Sequence, residues 1–158
     1  MSFRRAVALL LSGWMAMASC SDAWALSCNV TAVPVNFGLY NPLSGTPVVA
    51  TGTVTVSCTV LLGLLESWTI ALGTGNSGTY STRQMANGSS KLSYNLYTSA
   101  AYSNVWGDGS GSTTLVNGGA LLAIGTTNTN YVVYGRIPAG QDAAAGTFTD
   151  TILITLNY

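Results

Sequence analysis

No histidine occurs in this chain, and only 6% of its residues are charged. Without histidine, Ser-His-Asp and Cys-His catalysis in their usual forms are excluded, as is a metal site built on imidazole. The carboxylates Glu66, Asp108, Asp142 and Asp150 share no short motif. A glycosidase would therefore have to bring two of them together across a sugar by folding alone. Two glycine-rich stretches, Gly73–Gly78 and Trp106–Gly111, do not end in the Gly-Lys-Ser/Thr that a phosphate cradle needs. Helical periodicity is missing after the first 25 residues, because Leu61–Glu66 and Ala139–Ala145 are too short or too close to Pro and Gly. No internal repeat or low-complexity tail is present.

The front of the chain has a different character. Met1-Ser2-Phe3-Arg4-Arg5 is basic, Ala6 to Ala18 is apolar, and small polar residues follow. That is the order of a secretory signal peptide, and the apolar run is short for a membrane span. Ala23-Trp24-Ala25 supplies a small-x-small cleavage pattern, which makes 1–25 the leader and 26–158 one exported domain. A rival reading takes Met17-Ala18-Ser19-Cys20 as an imperfect lipobox, with lipid on Cys20. Beyond residue 25, Arg83, Lys91 and Arg136 stand against Glu66, Asp108, Asp142 and Asp150, a formal net charge of −1. No basic patch is available to neutralise phosphates, so no nucleic-acid partner is expected. So few charges suit a surface that ends packed against copies or partners. With Cys20 gone, Cys28 and Cys58 are the remaining pair in an oxidising compartment, and a disulfide between them is expected. Neither His nor C-x-x-C spacing supports a metal or redox pair. No cofactor is expected.

Short alternating runs fill the rest. Cys28 to Phe37 precedes the turn-prone Asn41-Pro42-Leu43-Ser44-Gly45. Val48 to Val60 places Val54, Val56, Cys58 and Val60 on one face and Thr and Ser on the other. With Cys28 and Cys58 in these two strands, their bridge joins them face to face or side by side. Trp68–Leu72, Leu92–Tyr97 and Tyr131–Ile137 follow, with a turn at Asn87-Gly88 and a stop at Pro138. The last run, Phe148 to Tyr158, alternates best of all. Phe148, Asp150, Ile152, Ile154, Leu156 and Tyr158 share one face, as side chains two apart in a strand do. Six or seven short strands with regular turn signals predict an all-β sandwich. The final strand carries charge only at Asp150, and nothing follows it to form a hairpin. Unprotected edges of that kind template another chain, so either an earlier segment covers both edges or a different molecule pairs with one.

Four side chains near loops are candidates for surface contact. Tyr80, Tyr97, Tyr102 and Trp106 could stack on sugar or pack into the sandwich edge. Asp108 between glycines fits a tight turn bonded to nearby amides, with Ca²⁺ ligation as the alternative. Asn29-Val30-Thr31 and Asn87-Gly88-Ser89 spell glycosylation sequons.

The ordered set of Asn36-Phe37-Gly38, Tyr40-Asn41-Pro42, Gly52-x-Val54-x-Val56-x-Cys58, Arg83-Gln84-Met85, Leu92-x-Tyr94-x-Leu96-Tyr97, Trp106-Gly107-Asp108-Gly109, Tyr134-Gly135-Arg136-Ile137-Pro138 and Gly146-x-Phe148-x-Asp150-Thr151-Ile152, closed by an aromatic, resembles the spore-coat protein U domain family. That family includes Csu-type subunits of archaic chaperone–usher pili. The resemblance spans Cys28 to Tyr158. It implies an incomplete immunoglobulin-like sandwich whose missing last strand is lent by a periplasmic chaperone, exchanged at an outer-membrane usher and replaced by a neighbouring subunit. Ile152, Ile154 and Leu156 would border the groove, and Tyr158 would anchor its end. Polymerising members also carry an N-terminal donor segment before the first Cys. Cleavage after Ala25 leaves only Leu26 and Ser27 there, so this chain is expected to accept a strand at a fibre end and give none. A self-contained secreted coat or matrix protein and a surface-binding outer-membrane lipoprotein are the rival expectations.

Overall fold

The computed structural model describes residues 26–60, 64–122 and 124–158; the leader and Cys20 lie outside them. Among the described residues ten strands form two sheets. β1 (Leu26–Val33), β2 (Val48–Val60), β9 (Gly125–Ile137), β5 (Ser90–Tyr97), β6 (Val105–Trp106) and β7 (Thr113–Thr114) lie in that order in a large sheet, and β4 (Arg83–Asn87) pairs with β5. β10 (Ile154–Asn157), β3 (Leu64–Leu72) and β8 (Val116–Leu122) form a small one. Val54, Val56, Leu96, Val133 and Ile137 from the large sheet meet Trp68, Ile70 and Leu72 from the small sheet in a common core. The expected all-β, immunoglobulin-like sandwich is the observed architecture. Apolar alternation drives it, since each strand buries one face and solvates the other.

β2 has the bounds its pattern predicts. Cys28 lies directly opposite Cys58 in the β1–β2 ladder, with Cα atoms 4.1 Å apart, and the two are disulfide-bonded. The bridge is therefore side by side within one sheet. Asn87 and Ser90 close a tight β4–β5 hairpin in which Gly88, at φ +57°, takes the left-handed conformation of the first turn position.

Three elements differ from expectation. β8 and the first half of β9 were not legible as strands: Val116-Asn117-Gly118-Gly119 has the composition of a loop, and Thr126, Asn128 and Asn130 give only a polar alternation. Gly118 is nevertheless required where it is. A Cβ there would fall on the Trp68 indole nitrogen and the Tyr131 hydroxyl, which hydrogen-bond to each other between the sheets at 2.8 Å.

The C-terminal run is the third difference. It is not one continuous strand from Phe148 to Tyr158. Thr149 bridges to Ala86 of β4, and the chain then crosses to the small sheet, where Ile154–Asn157 pairs with Leu72–Thr69 of β3. Asp150 explains the break. Its carboxylate is drawn in to accept from the Tyr94 hydroxyl at 2.8 Å and the amide N–H groups of Asn76 and Thr151 at 2.9 and 2.8 Å.

Candidate pairing groove

β1 ends one edge of the large sheet and β10 ends one edge of the small sheet. Among the described residues each pairs with a single neighbour, which leaves two rows of backbone N–H and C=O groups open on the same flank. Between them lies a cavity of about 410 Å³. Its walls are the end of β1 with the segment through Phe37 on one side and Phe148 to Ile154 on the other. Val54, Leu72, Met85, Leu96 and Val133 form an apolar floor. A volume of this order admits several side chains of an inserted segment.

The segment after β1 shapes the groove. Rather than continuing along the edge, it turns across the inner face of the large sheet, and Phe37 meets the Tyr94 ring edge-on at 5.8 Å between centroids. Two glycines make the crossing possible. A Cβ on Gly52 would meet the Val33 carbonyl oxygen at 2.6 Å, and one on Gly135 would meet Val35 and Phe37 side-chain atoms at 2.6 and 2.7 Å. Isolated glycines within strand patterns signal such close approaches.

The opposite wall is held by polar contacts. Besides the Asp150 bonds, the Gly73 N–H donates to the Leu153 carbonyl at 2.8 Å, and the Ala86 and Thr149 amides exchange bonds at 2.8 and 3.0 Å. A Cβ on Gly75 would collide with the Asp150 carboxylate, so glycine there gives Asp150 its seat. Burial, and secondarily the bond to Asp150, holds the Tyr94 phenol well above its ordinary pKa.

Beside this wall sits Arg83, fully buried. Its guanidinium donates to Asn95 Oδ1 at 2.7 Å, the Trp106 carbonyl at 2.7 Å and the Gly73 carbonyl at 2.8 and 2.9 Å. Desolvation lowers its pKa. The planar fork of donors lets one side chain fasten β4, β5, β6 and the end of β3 together. The motif Arg83-Gln84-Met85 had flagged the position, but its burial and the partners could not be read from spacing.

Of the residues expected to border the groove, Phe148, Ile152, Ile154 and Leu156 come together, half-buried, against the core. Tyr158 does not join them. It is exposed at the far end of β10, beside Trp68, Asn117 and Gly118. Among the loop candidates, Trp106 requires correction. It is fully buried, with its indole N–H donating to the Ile70 carbonyl at 2.9 Å, so it is core and not contact surface. An alternating Val105-Trp106 pair in β6 turns the indole inward, which a Gly-rich neighbourhood had concealed. Asp108 is exposed and accepts from Ser110 N–H and Oγ at 2.9 and 2.6 Å, bonds that lower its pKa. That is the tight-turn geometry. Tyr80 is half-buried over the Arg83 guanidinium, 5.3 Å from ring centroid to Cζ. Among the described residues no group of His, Cys, Asp or Glu could hold a metal ion, and no helix is long and apolar enough to cross a membrane.

An all-β sandwich with two unpaired strand edges beside an apolar cavity is a geometry that strand addition can use. Residues 15–155 match the Spore Coat Protein U domain, and the chain belongs to that family. It is 32% identical over 137 residues to "Protein U" of Myxococcus xanthus, covering 78% of this chain and 71% of that protein. Its fold is similar to a chain in the crystal structure of the CsuC–CsuE chaperone–tip adhesion subunit pre-assembly complex from archaic chaperone–usher Csu pili of Acinetobacter baumannii. The TM-score is 0.57 at 22% identity, over 85% of this chain and 40% of the other. This chain thus spans well under half the length of that structural relative.

Proposed function

We propose that this chain is an exported, non-enzymatic structural or adhesive subunit of a chaperone–usher surface fibre. The observation that carries the reading is the cavity between the free edges of β1 and β10 in a member of this family. A periplasmic chaperone would lend an extended strand to that flank, an outer-membrane usher would exchange it, and a neighbouring subunit would fill it for good. Main-chain hydrogen bonds would give affinity, and the apolar floor would fix the register. The bridged Cys28–Cys58 pair fits passage through an oxidising periplasm to the cell surface.

Processing after Ala25 would leave no spare donor segment, because Leu26 already pairs with Val60 in β1. This supports a fibre-end position. Tyr80 and Asp108, on neighbouring loops, remain candidates for contact with a surface there.

A second reading, a self-contained coat or matrix protein, is favoured by the close approach of β10 to β1. Expression in a periplasm separates the two. Alone, the fibre subunit should be degraded or aggregate, and a cognate chaperone should rescue it. Deleting Ile152 to Tyr158 should abolish that rescue. Soluble monomer with a cooperative melt and no partner would establish the second reading instead.

A further inference from the structure

The outer face of the large sheet has a composition that the groove does not explain. After residue 25, the cations that strands of this sheet leave accessible are Lys91 and Arg136, while Arg83 of β4 is buried. The four carboxylates lie outside it, Glu66 in β3 and Asp108, Asp142 and Asp150 in connections. Because Val133, Gly135 and Ile137 are buried, Tyr134 and Arg136 of β9 face outward. Tyr97 of β5 stands directly opposite Tyr134 in the ladder. The loop after β5 then folds back, tied by Thr98 N–H to the Asn104 carbonyl and Tyr102 N–H to the Ser99 carbonyl, each at 3.1 Å.

That loop holds Tyr102 at φ +53°, and it is the one non-glycine residue with positive φ among the described residues. For a bulky side chain this is a strained conformation, and such strain concentrates at binding sites. What it achieves is placement. The Tyr102 ring meets Tyr97 edge-on at 5.5 Å and lies under the Arg136 guanidinium, 5.7 Å from centroid to Cζ. A guanidinium held over a ring face can keep its in-plane N–H donors for a carboxylate. Further along the same face, Thr55 donates to Asn130 Oδ1 and Thr59 bonds to Thr126, both at 2.8 Å. The result is an uncharged hydroxyl and amide ladder, separated from Tyr134 by the exposed Val132.

We infer that this face binds an acidic polysaccharide: sugar rings lie on Tyr97, Tyr102 and Tyr134, a uronate carboxylate meets Arg136, and the Thr–Asn ladder receives the hydroxyls of adjoining units. Charge complementarity selects the acidic class, since the accessible charges in the strands of this sheet are Lys91 and Arg136, with no carboxylate among them. The inference is independent of the fibre reading, because this face lies on the other side of the sheet from the groove.

The test is retardation of the exported full chain, with its chaperone bound where it needs one to stay soluble, in native gels containing polygalacturonate, with dextran as the neutral comparison. Polygalacturonate at low salt should retard the protein, added salt should weaken the effect, and dextran should not retard it. Tyr102→Gly and Arg136→Gln should each raise the apparent Kd at least about fivefold. Glycine accepts the left-handed φ, so Tyr102→Gly removes the ring while its loop and melting temperature persist. Absence of retardation by polygalacturonate, equal retardation by dextran, or full binding by the Tyr102→Gly protein each overturns the proposal. So does a wild-type face found covered by a protein partner in the secreted material.

Discussion

Asp150 does more than any other side chain to set the path of the last segment. Its carboxylate takes one hydroxyl and two amide donors from three places in the chain. Bonds to an ionised acceptor are the stronger kind, roughly 1.5–3 kcal/mol each, and they are not additive. Asp150→Ala should therefore cost about 3 kcal/mol, read from thermal melting of the exported protein in its assembled state. Tyr94→Phe should cost less, and little further once Asp150 is gone; full additivity in the double variant would refute the coupling. The Tyr94 hydroxyl also gives a pH prediction. Burial, with the Asp150 bond behind it, raises its folded pKa above the unfolded value near 10. A raised pKa contributes stability that is fully present below about pH 10 and is lost as pH climbs toward the folded value. In an alkaline titration followed by phenolate absorbance, Tyr94 should ionise only as the protein unfolds, and Tyr94→Phe should remove that contribution to the unfolding step.

The β1–β2 pair shows how a local pattern becomes a fixed register. Cys28 and Cys58 face each other across the ladder, and the bond closes a separation of 30 residues. Loop-closure entropy assigns such a bridge roughly 3–4 kcal/mol. The double variant Cys28→Ser, Cys58→Ser should lose stability of that order, and a thiol assay on unfolded secreted wild type should find no free group. Two reactive thiols would contradict the bridge. β2 was legible to its ends because period-two alternation of Val against Thr is the strongest local strand signal. β8 was not, because its glycines are imposed by Trp68 and Tyr131 from two other strands. The C-terminal run was half legible. Its apolar face is as expected, but the jump from β4 to β3 depends on where Asp150 finds its donors. The inward turn of Val35 and Phe37 likewise became visible only through the glycines it crosses, Gly52 and Gly135. Local pattern carried the strands and their faces, while contacts between distant segments decided the breaks, the buried Trp106 and the groove.

The assembled molecule presents an open flank between β1 and β10 and, on the proposed processing, nothing to offer in return. β1 is paired with β2 from Leu26 onward. Residues used in that ladder cannot also cross to another subunit, since freeing them would open the sheet edge and bring Cys28 with it. An inserted strand with five alternating anchors needs about nine residues, at roughly 3.3 Å each. A mature chain beginning at Leu26 would have none to spare, so it would accept a neighbour's strand and terminate the fibre. Grafting a donor segment from a polymerising partner between Ala25 and Leu26 supplies what is missing without touching the groove. Terminal sequencing of the wild type should find Leu26 first, and immunogold labelling should find it only at fibre ends. The grafted chain should appear along the shaft. Gold along the shaft with the wild type would mean that the chain donates a strand after all, from a longer mature N-terminus or by releasing β1.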